Sequence, residues 1–337
     1  MSQRLSGRRW VQLSIGIGLS ALFLWLAVRG EDWSAIGSSV AEADYRWLVA
    51  MAAGGVFALY VRCQRWKLLL EQATGRQLPM GPVFSAAAIG FMANMVLPFR
   101  VGEFARPYLV SRHTHVTLST ALATVILERI LDLFVLFAFG LWVVSAADVP
   151  ETVTRLTWVA GIAVGALFTG IVIVHFQRGR LLPIVDRIWL LLPSHIGHMI
   201  TKIEHEFLDA MAVAANAKVL LKTVLWSFYV WVIIAMTFAL GFPALGIAVP
   251  IAGGGVTVTT LVALAVSVPG APGFVGQFEW GCKIALEQIY GVAGATALAY
   301  SFVTHFVQWL TQVLLGVVYL LREGLSLREL ERLQAEG

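Results

Sequence analysis

Apolar residues fill this chain in long blocks, and polar positions fall between the blocks or at a few points inside them. A helix that crosses a bilayer needs roughly 20 apolar residues. Blocks at 10–28, 47–61, 118–146, 154–176, 218–240 and 293–321 therefore predict spanning helices. Two further apolar regions, 80–116 and 246–291, are interrupted. The first is broken by Pro98 and Gly102, with Arg100, Glu103 and Arg106 at the break. The second carries Gly253, Gly254 and Gly255, then Pro269, Gly270, Pro272, Gly273, Phe274 and Gly276. Proline and glycine disfavour helix interiors, so each region reads as helix, break, helix.

Broken backbone at membrane depth leaves N–H and C=O groups that hydrocarbon cannot satisfy, so it persists only against protein or a wet cavity. Charges there are costly and mark functional contacts more often than not. Two readings fit the first break: a polar site, or a cytoplasmic loop whose arginines follow the positive-inside rule. Basic residues before the first block (Arg4, Arg8, Arg9), after the second (Arg62, Arg65, Lys67, Arg76) and between 178 and 222 assign those ends to the cytoplasm. The tail 322–337 returns there, while Glu31, Asp32, Glu42, Asp44, Asp148 and Glu151 mark the opposite loops.

On this count 80–116 enters and leaves from the cytoplasmic face, and 246–291 does so from the other. The stretches 98–104 and 272–278 also coincide at Pro, Val, Gly and Phe, with Glu103 opposite Gln277. The expected fold is an all-α integral membrane protein. It is a polytopic helical bundle forming one domain over 1–337, with two broken or re-entrant hairpins in a 4+4 inverted repeat whose halves are 1–146 and 154–321. Pairs of short, fully spanning helices preserve the same parity. Opposed repeats with discontinuous helices are a transporter arrangement.

Composition agrees: 58% hydrophobic and 13% charged residues, with mean hydropathy +0.79, exclude an ordinary soluble domain. Trp10, Trp25, Trp33, Trp47 and Trp66 lie near block ends, where indole rings favour the headgroup layer. The formal charge of +4 is spread over loops, so no nucleic-acid partner is implied. Cys63 and Cys282 have neither disulfide nor thiolate-metal spacing, and no metal or cofactor is expected. Residues 10–28 read as a retained anchor, because Val28-Arg29-Gly30-Glu31 is no small-residue cleavage site.

Inside the 118–146 block, Glu128 and Asp132 are four apart on one helix face and Arg129 lies about 100° round from Glu128. Glu128 and Asp132 are expected to neutralise arginines of the first break, unless the triplet lies solvated at the interface. Glu279 follows the second break, with Lys283 one turn on as a local ion-pair partner. Glu279 and Glu103, on opposed breaks, would face one cavity and could exchange a proton during transport. Thr304, His305, Gln308 and Gln312 form a polar stripe that lines that cavity or bonds helices together. His195, His198, Glu204, His205 and Glu206 lie in the amphipathic segment 181–216 without a metal-site pattern, and read as a wetted face. Gly161 and Gly165 permit close helix packing.

Three ordered sets follow one another, Asn94-x-x-Leu97-Pro98-x-Arg100-x-Gly102-Glu103-x-x-Arg106, Glu128-Arg129-x-x-Asp132 and Pro272-Gly273-x-x-Gly276-x-x-Glu279, within a resemblance that covers nearly the whole chain. They resemble the flippase-like transmembrane region of lysylphosphatidylglycerol synthases and its stand-alone relatives. Phe274 departs from the second glycine usual there. The resemblance implies translocation of a polar lipid (phospholipid, aminoacyl-phospholipid, hopanoid or glycolipid) across a prokaryotic cytoplasmic membrane, with both termini cytoplasmic. No soluble aminoacyl-transferase domain is recognised, so a separately encoded synthase would supply an aminoacylated lipid. The site expected on this basis has Arg100 and Arg106 on a lipid phosphate, Asn94 and Glu103 orienting, Glu128, Arg129 and Asp132 supporting, and Glu279 opposed. Glycine-rich spans permit a homodimer. Two alternatives are a membrane enzyme acting on a lipid-linked substrate with Glu103 or Glu128 as base, and a non-catalytic partner of an envelope lipid synthase.

Overall fold

In the computed structural model, residues 7–189, 194–211, 216–268 and 270–326 are described. Arg4, Pro269, parts of the 181–216 segment and the tail beyond 326 lie outside them. Every regular element among the described residues is helical. The first half runs α1 (Gly7–Val28), α2 (Trp33–Ala41), α3 (Tyr45–Thr74), α4 (Met80–Val96), α5 (Gly102–His113) and α6 (Leu118–Ala146). Then follow α7 (Glu151–Trp189), α8 (Ser194–Met211), α9 (Ala217–Ala239), α10 (Gly241–Ala244), α11 (Ile251–Val266), α12 (Gln277–Lys283) and α13 (Gly294–Arg322).

By length and composition α3, α9 (continued through α10) and α13 can each cross a membrane, and α1 with α2, bent by 86°, makes a fourth candidate span. α4 and α11 are shorter apolar helices, each ending at a predicted break. The breaks tighten into single turns, Pro98–Arg100 and Pro272–Phe274. Helix starts follow side-chain chemistry: Asp32, Asp44, Thr117 and Asn216 accept the first free amides of α2, α3, α6 and α9.

Apolar burial is divided between two large clusters. One surrounds α4, with Leu59, Trp66, Ile89, Met92, Leu109 and Val125; the other surrounds α11, with Phe238, Phe242, Val258, Phe278, Leu286 and Tyr300. The two broken segments meet between them, since the turn at 272–274 packs on α4 and touches the turn at 98–100.

Three sequence expectations need correction. Trp66 is no interfacial anchor: it is 0% exposed, and its indole N–H donates to Thr124 Oγ1 at 3.1 Å. Lys283 does not pair with Glu279. It reaches Glu31 Oε1 at 2.6 Å and the Ala27 carbonyl at 2.8 Å, tying α12 to the end of α1, with Glu287 at 3.5 Å. Glu279 is unavailable because its own helix start claims it, as described below. Finally, of the Gly161 and Gly165 pair only Gly161 meets a neighbour, the ring of Phe137.

Candidate functional site

The centre of the site is α6, where Glu128 and Asp132 are 1% and 5% exposed on one face. Arg106, from α5, closes on Glu128 with two bonds, Nη1 to Oε1 at 3.3 Å and Nη2 to Oε2 at 3.2 Å. This fork geometry fixes orientation as well as charge. Its guanidinium lies 4.4 Å from the ring centre of Trp66 and 5.0 Å from that of Phe91. Asp132 is held instead by Arg65 of α3, whose Nη1 donates to Oδ1 at 2.5 Å and to Ser227 Oγ at 2.9 Å. Trp231 of α9 donates to the same carboxylate oxygen at 2.9 Å. Arg65 also lies 3.3 Å from Glu128, joining the pairs into one network. Arg129, one position round the helix and half-exposed, reaches Glu128 at 3.3 Å and Asp132 at 3.8 Å from the edge.

Three guanidinium groups thus face two carboxylates in a region built from α3, α5, α6 and α9. The expectation that α6 neutralises the first break holds for Glu128 and Arg106, whereas the partner of Asp132 is Arg65. By the positive-inside count Arg65 is a topology signal after the second block, but it lies inside α3 and is 0% exposed. The block 47–61 is, however, only 15 residues long, short of the roughly 20 a span requires. Continuing the helix through Arg62 and Arg65 is the signal that identifies them.

The other residues of the first break form a second group. Arg100 does not enter the network; its guanidinium donates to the Val266 carbonyl of α11, lies 5.2 Å from the Phe274 ring centre and is 3.6 Å from Glu103. Its side chain is 41% exposed and that of Glu103 30%. Arg100 has φ +50° and Phe274 φ +61°. Left-handed backbone is strained for side chains of this kind. The two strained residues contact each other across the two breaks, and the φ of Phe274 is one that a glycine adopts freely. Asn94 sits where α4 crosses α5: Gly90 and Gly102 bring the two backbones together, and the buried Asn94 Oδ1 has no hydrogen-bond partner.

The second break is held from within. Glu279 is 2% exposed and accepts from the Gly276 N–H at 2.6 Å, stabilising the start of α12. Its other oxygen is 2.6 Å from His305 Nδ1, and His305 Nε2 is 2.7 Å from the Gly273 carbonyl. That carbonyl accepts, so Nε2 carries a hydrogen, and one further proton is shared between Nδ1 and Glu279. The Phe278 ring stacks on the imidazole, centroids 4.1 Å apart. Gly276, at φ +91°, lies against the α1 backbone at Ser20. Ser20 accepts from the Ala271 N–H at 2.7 Å and donates to Gln277 at 3.3 Å. The partners of the two carboxylates differ: Glu103 lies 3.6 Å from Arg100, and Glu279 is bonded to Gly276 and His305. His305 bonds helices together, while Gln308 and Gln312 line a cleft beside α3 and α9.

A stability difference follows from this arrangement. Glu279→Gln keeps an acceptor for Gly276 and supplies a donor to a neutral His305, so thermal unfolding in detergent is expected to shift little. His305→Leu strands Glu279 and the Gly273 carbonyl, and is expected to cost about 1–3 kcal/mol for each buried group left unpaired.

The helices and the buried ionic network define a polytopic α-helical membrane protein with a charged interior. The chain belongs to the family described as the lysylphosphatidylglycerol synthase TM region, which matches residues 13–316. It is also similar to glycosyltransferase AglD of Haloferax volcanii, 24% identical over 349 residues, covering 95% of this chain and 55% of the relative. The chain thus spans about half the length of that curated relative. No solved structure gives a significant match.

Proposed function

We propose that this protein moves a lipid with an anionic, phosphate-bearing headgroup across the prokaryotic cytoplasmic membrane, with both its termini in the cytoplasm. The headgroup follows the polar seam where the breaks at 98–100 and 272–274 meet, and the acyl chains stay in the bilayer. The observation that carries this reading is the 41% exposed Arg100 side chain where the two breaks meet, 3.6 Å from Glu103, beside a network in which Arg65, Arg106 and Arg129 outnumber Glu128 and Asp132. An excess cation at membrane depth is costly without an anion beside it, and a lipid phosphate is the anion a bilayer supplies.

Within that reading the residue roles differ from those the sequence suggests. Arg106 is occupied by Glu128 and acts as a positioning residue. Arg100, with its exposed guanidinium, contacts the phosphate, and Glu103 orients Arg100. Asn94, Glu128, Arg129 and Asp132 hold the seam in shape. Glu279 and His305 keep the opposed break in place. The breaks at Pro98 and Gly102 and at Pro272, Gly273 and Gly276 are the matching parts of a 4+4 inverted repeat, 1–146 against 154–321, in a single transmembrane domain.

The test is transbilayer movement of labelled phosphatidylglycerol in proteoliposomes. Movement by the wild type is expected to slow about tenfold or more in Arg100→Ala, since a hydrogen bond to a charged group is worth about 1.5–3 kcal/mol. Glu103→Gln slows it less. Full-speed movement by the folded double variant removes the assignment. The name of the Haloferax volcanii relative favours a second reading, sugar transfer to or from a lipid-linked substrate. A chemically altered lipid formed in detergent, where there are no two sides, would support that reading.

A further inference from the structure

Beside the ionic network, α3, α4, α9 and α13 enclose a cleft lined by Arg62, Phe91, Thr237, Gln308, Thr311 and Gln312. We propose that this cleft binds one lipid by its phosphate, with Arg62 as the cationic contact. The site is separate from the seam around Arg100. It rests on the transport reading only in taking a membrane lipid as ligand.

Arg62 is three residues before Arg65, on the same face of α3, but the two side chains behave differently. Arg65 is held by two carboxylates. No carboxylate pairs with Arg62 among the described residues, and its buried Nε has no hydrogen-bond partner. Its guanidinium lies against rings, 5.2 Å from the centre of Phe91 and 5.7 Å from that of Trp231, and Asp132 and Glu128 act on it only from beyond ion-pair distance. Phe91 carries Arg106 as well, at 5.0 Å, so the cleft borders the network directly. Ring contacts of this kind are worth roughly 0.5–2 kcal/mol and leave the N–H donors unused. An anion with several acceptor oxygens meets that need.

The remaining polar groups match the same ligand. Gln308 and Gln312 are half-buried at i and i+4 on α13, and neither amide bonds to protein among the described residues. Each offers two N–H donors and one acceptor, which suits phosphate and glycerol oxygens. Thr237 and Thr311 return their hydroxyl hydrogens to their own helices, leaving acceptor oxygens toward the cleft.

The case for a lipid over a free ion comes from the walls. Of the four helices that line the cleft, α3, α9 and α13 individually pass as membrane spans and α4 is a shorter apolar helix. Met51, Leu59 and Ile234 line it alongside the polar groups. The same helices expose Phe57, Tyr60 and Leu314 outward. Gly55 provides the space: a Cβ there would meet only Thr311, at 3.9 Å.

The experiment is native mass spectrometry of the purified full chain in detergent, titrated with phosphatidylglycerol or with diacylglycerol. The wild type is expected to bind phosphatidylglycerol about tenfold or more tightly than diacylglycerol. Arg62→Gln, which removes the charge, and Gly55→Leu, which fills the cleft with Arg62 intact, are each expected to lose that preference. Both must first elute as folded protein; if Arg62→Gln does not, Gly55→Leu alone decides. Gly165→Ala, where an added Cβ meets nothing within 4 Å, should bind as the wild type does; Arg62→Gln and Gly55→Leu leave the seam around Arg100 intact, so a failed transport assay at Arg100 leaves this site standing. Unchanged preference in Gly55→Leu overturns the proposal. So does equal binding of the two lipids by the wild type, or displacement of phosphatidylglycerol by millimolar inorganic phosphate, which would mark a small-ion site.

Discussion

Glu128→Ala is expected to lower stability by about 3–5 kcal/mol, because it leaves buried guanidinium groups with one carboxylate among them. Arg106 loses both its hydrogen bonds, and Arg65 and Arg129 keep only Asp132. The measurement is thermal or chemical unfolding in detergent, followed by near-UV absorbance of Trp66 and Trp231, which pack on the network. A suitable control is Glu151→Ala. Glu151 pairs with Arg155 at 2.6 Å, a shorter contact than any to Glu128, but both side chains are about three-quarters exposed. Exposed pairs contribute about 0–1 kcal/mol, so no large shift is expected. Equal effects of the two substitutions would show that the network is hydrated and that burial does not set its energy.

The second large effect is steric. A Cβ added at Gly102 would enter the Gly90 carbonyl, and one added at Gly90 would enter the stem of Arg106. Gly102→Ala therefore collides with backbone, which cannot swing aside as a side chain can. Overpacking costs typically 1–3 kcal/mol even where neighbours can shift, and here α4 and α5 must separate and take Arg106 away from Glu128. Loss of monodisperse protein, or a transition lowered by more than that of any other Gly→Ala variant of the first half, is the expected result. Gly165→Ala, where an added Cβ meets nothing within 4 Å, is expected to be neutral or slightly stabilising, since alanine favours a helix over glycine by about 1 kcal/mol.

Much of this was legible in the chain. Pro98 and Gly102, or Pro272 and Gly276, inside otherwise apolar sequence dictate a helix break. Glu128 and Asp132 share a face by spacing alone. What was not legible depends on partners distant in sequence. Arg65 ends an apolar block, so it reads as a loop charge until the length of that block is weighed against the bilayer. Lys283 has a carboxylate four residues before it, yet Glu279 is consumed by Gly276 and His305, and no local rule reveals that competition. Arg62 resembles Arg65 in spacing, and only the fold shows that one meets two carboxylates within 3.3 Å and the other lies against rings. Phe274 can be flagged as a departure from glycine, but its contact with Arg100 requires the two breaks to be brought together.

That contact also has a consequence for how the protein is made. The carbonyl that receives Arg100 lies 166 residues further along the chain. At roughly 5–20 residues per second of synthesis, it arrives about 8–33 s after Arg100 has left the ribosome. Throughout that interval the first break has its charge and its left-handed residue but not its acceptor. The N-terminal half is therefore made before its first break can close, and until α11 is in place Arg100 has only Glu103, three residues on, as a charged partner in that break.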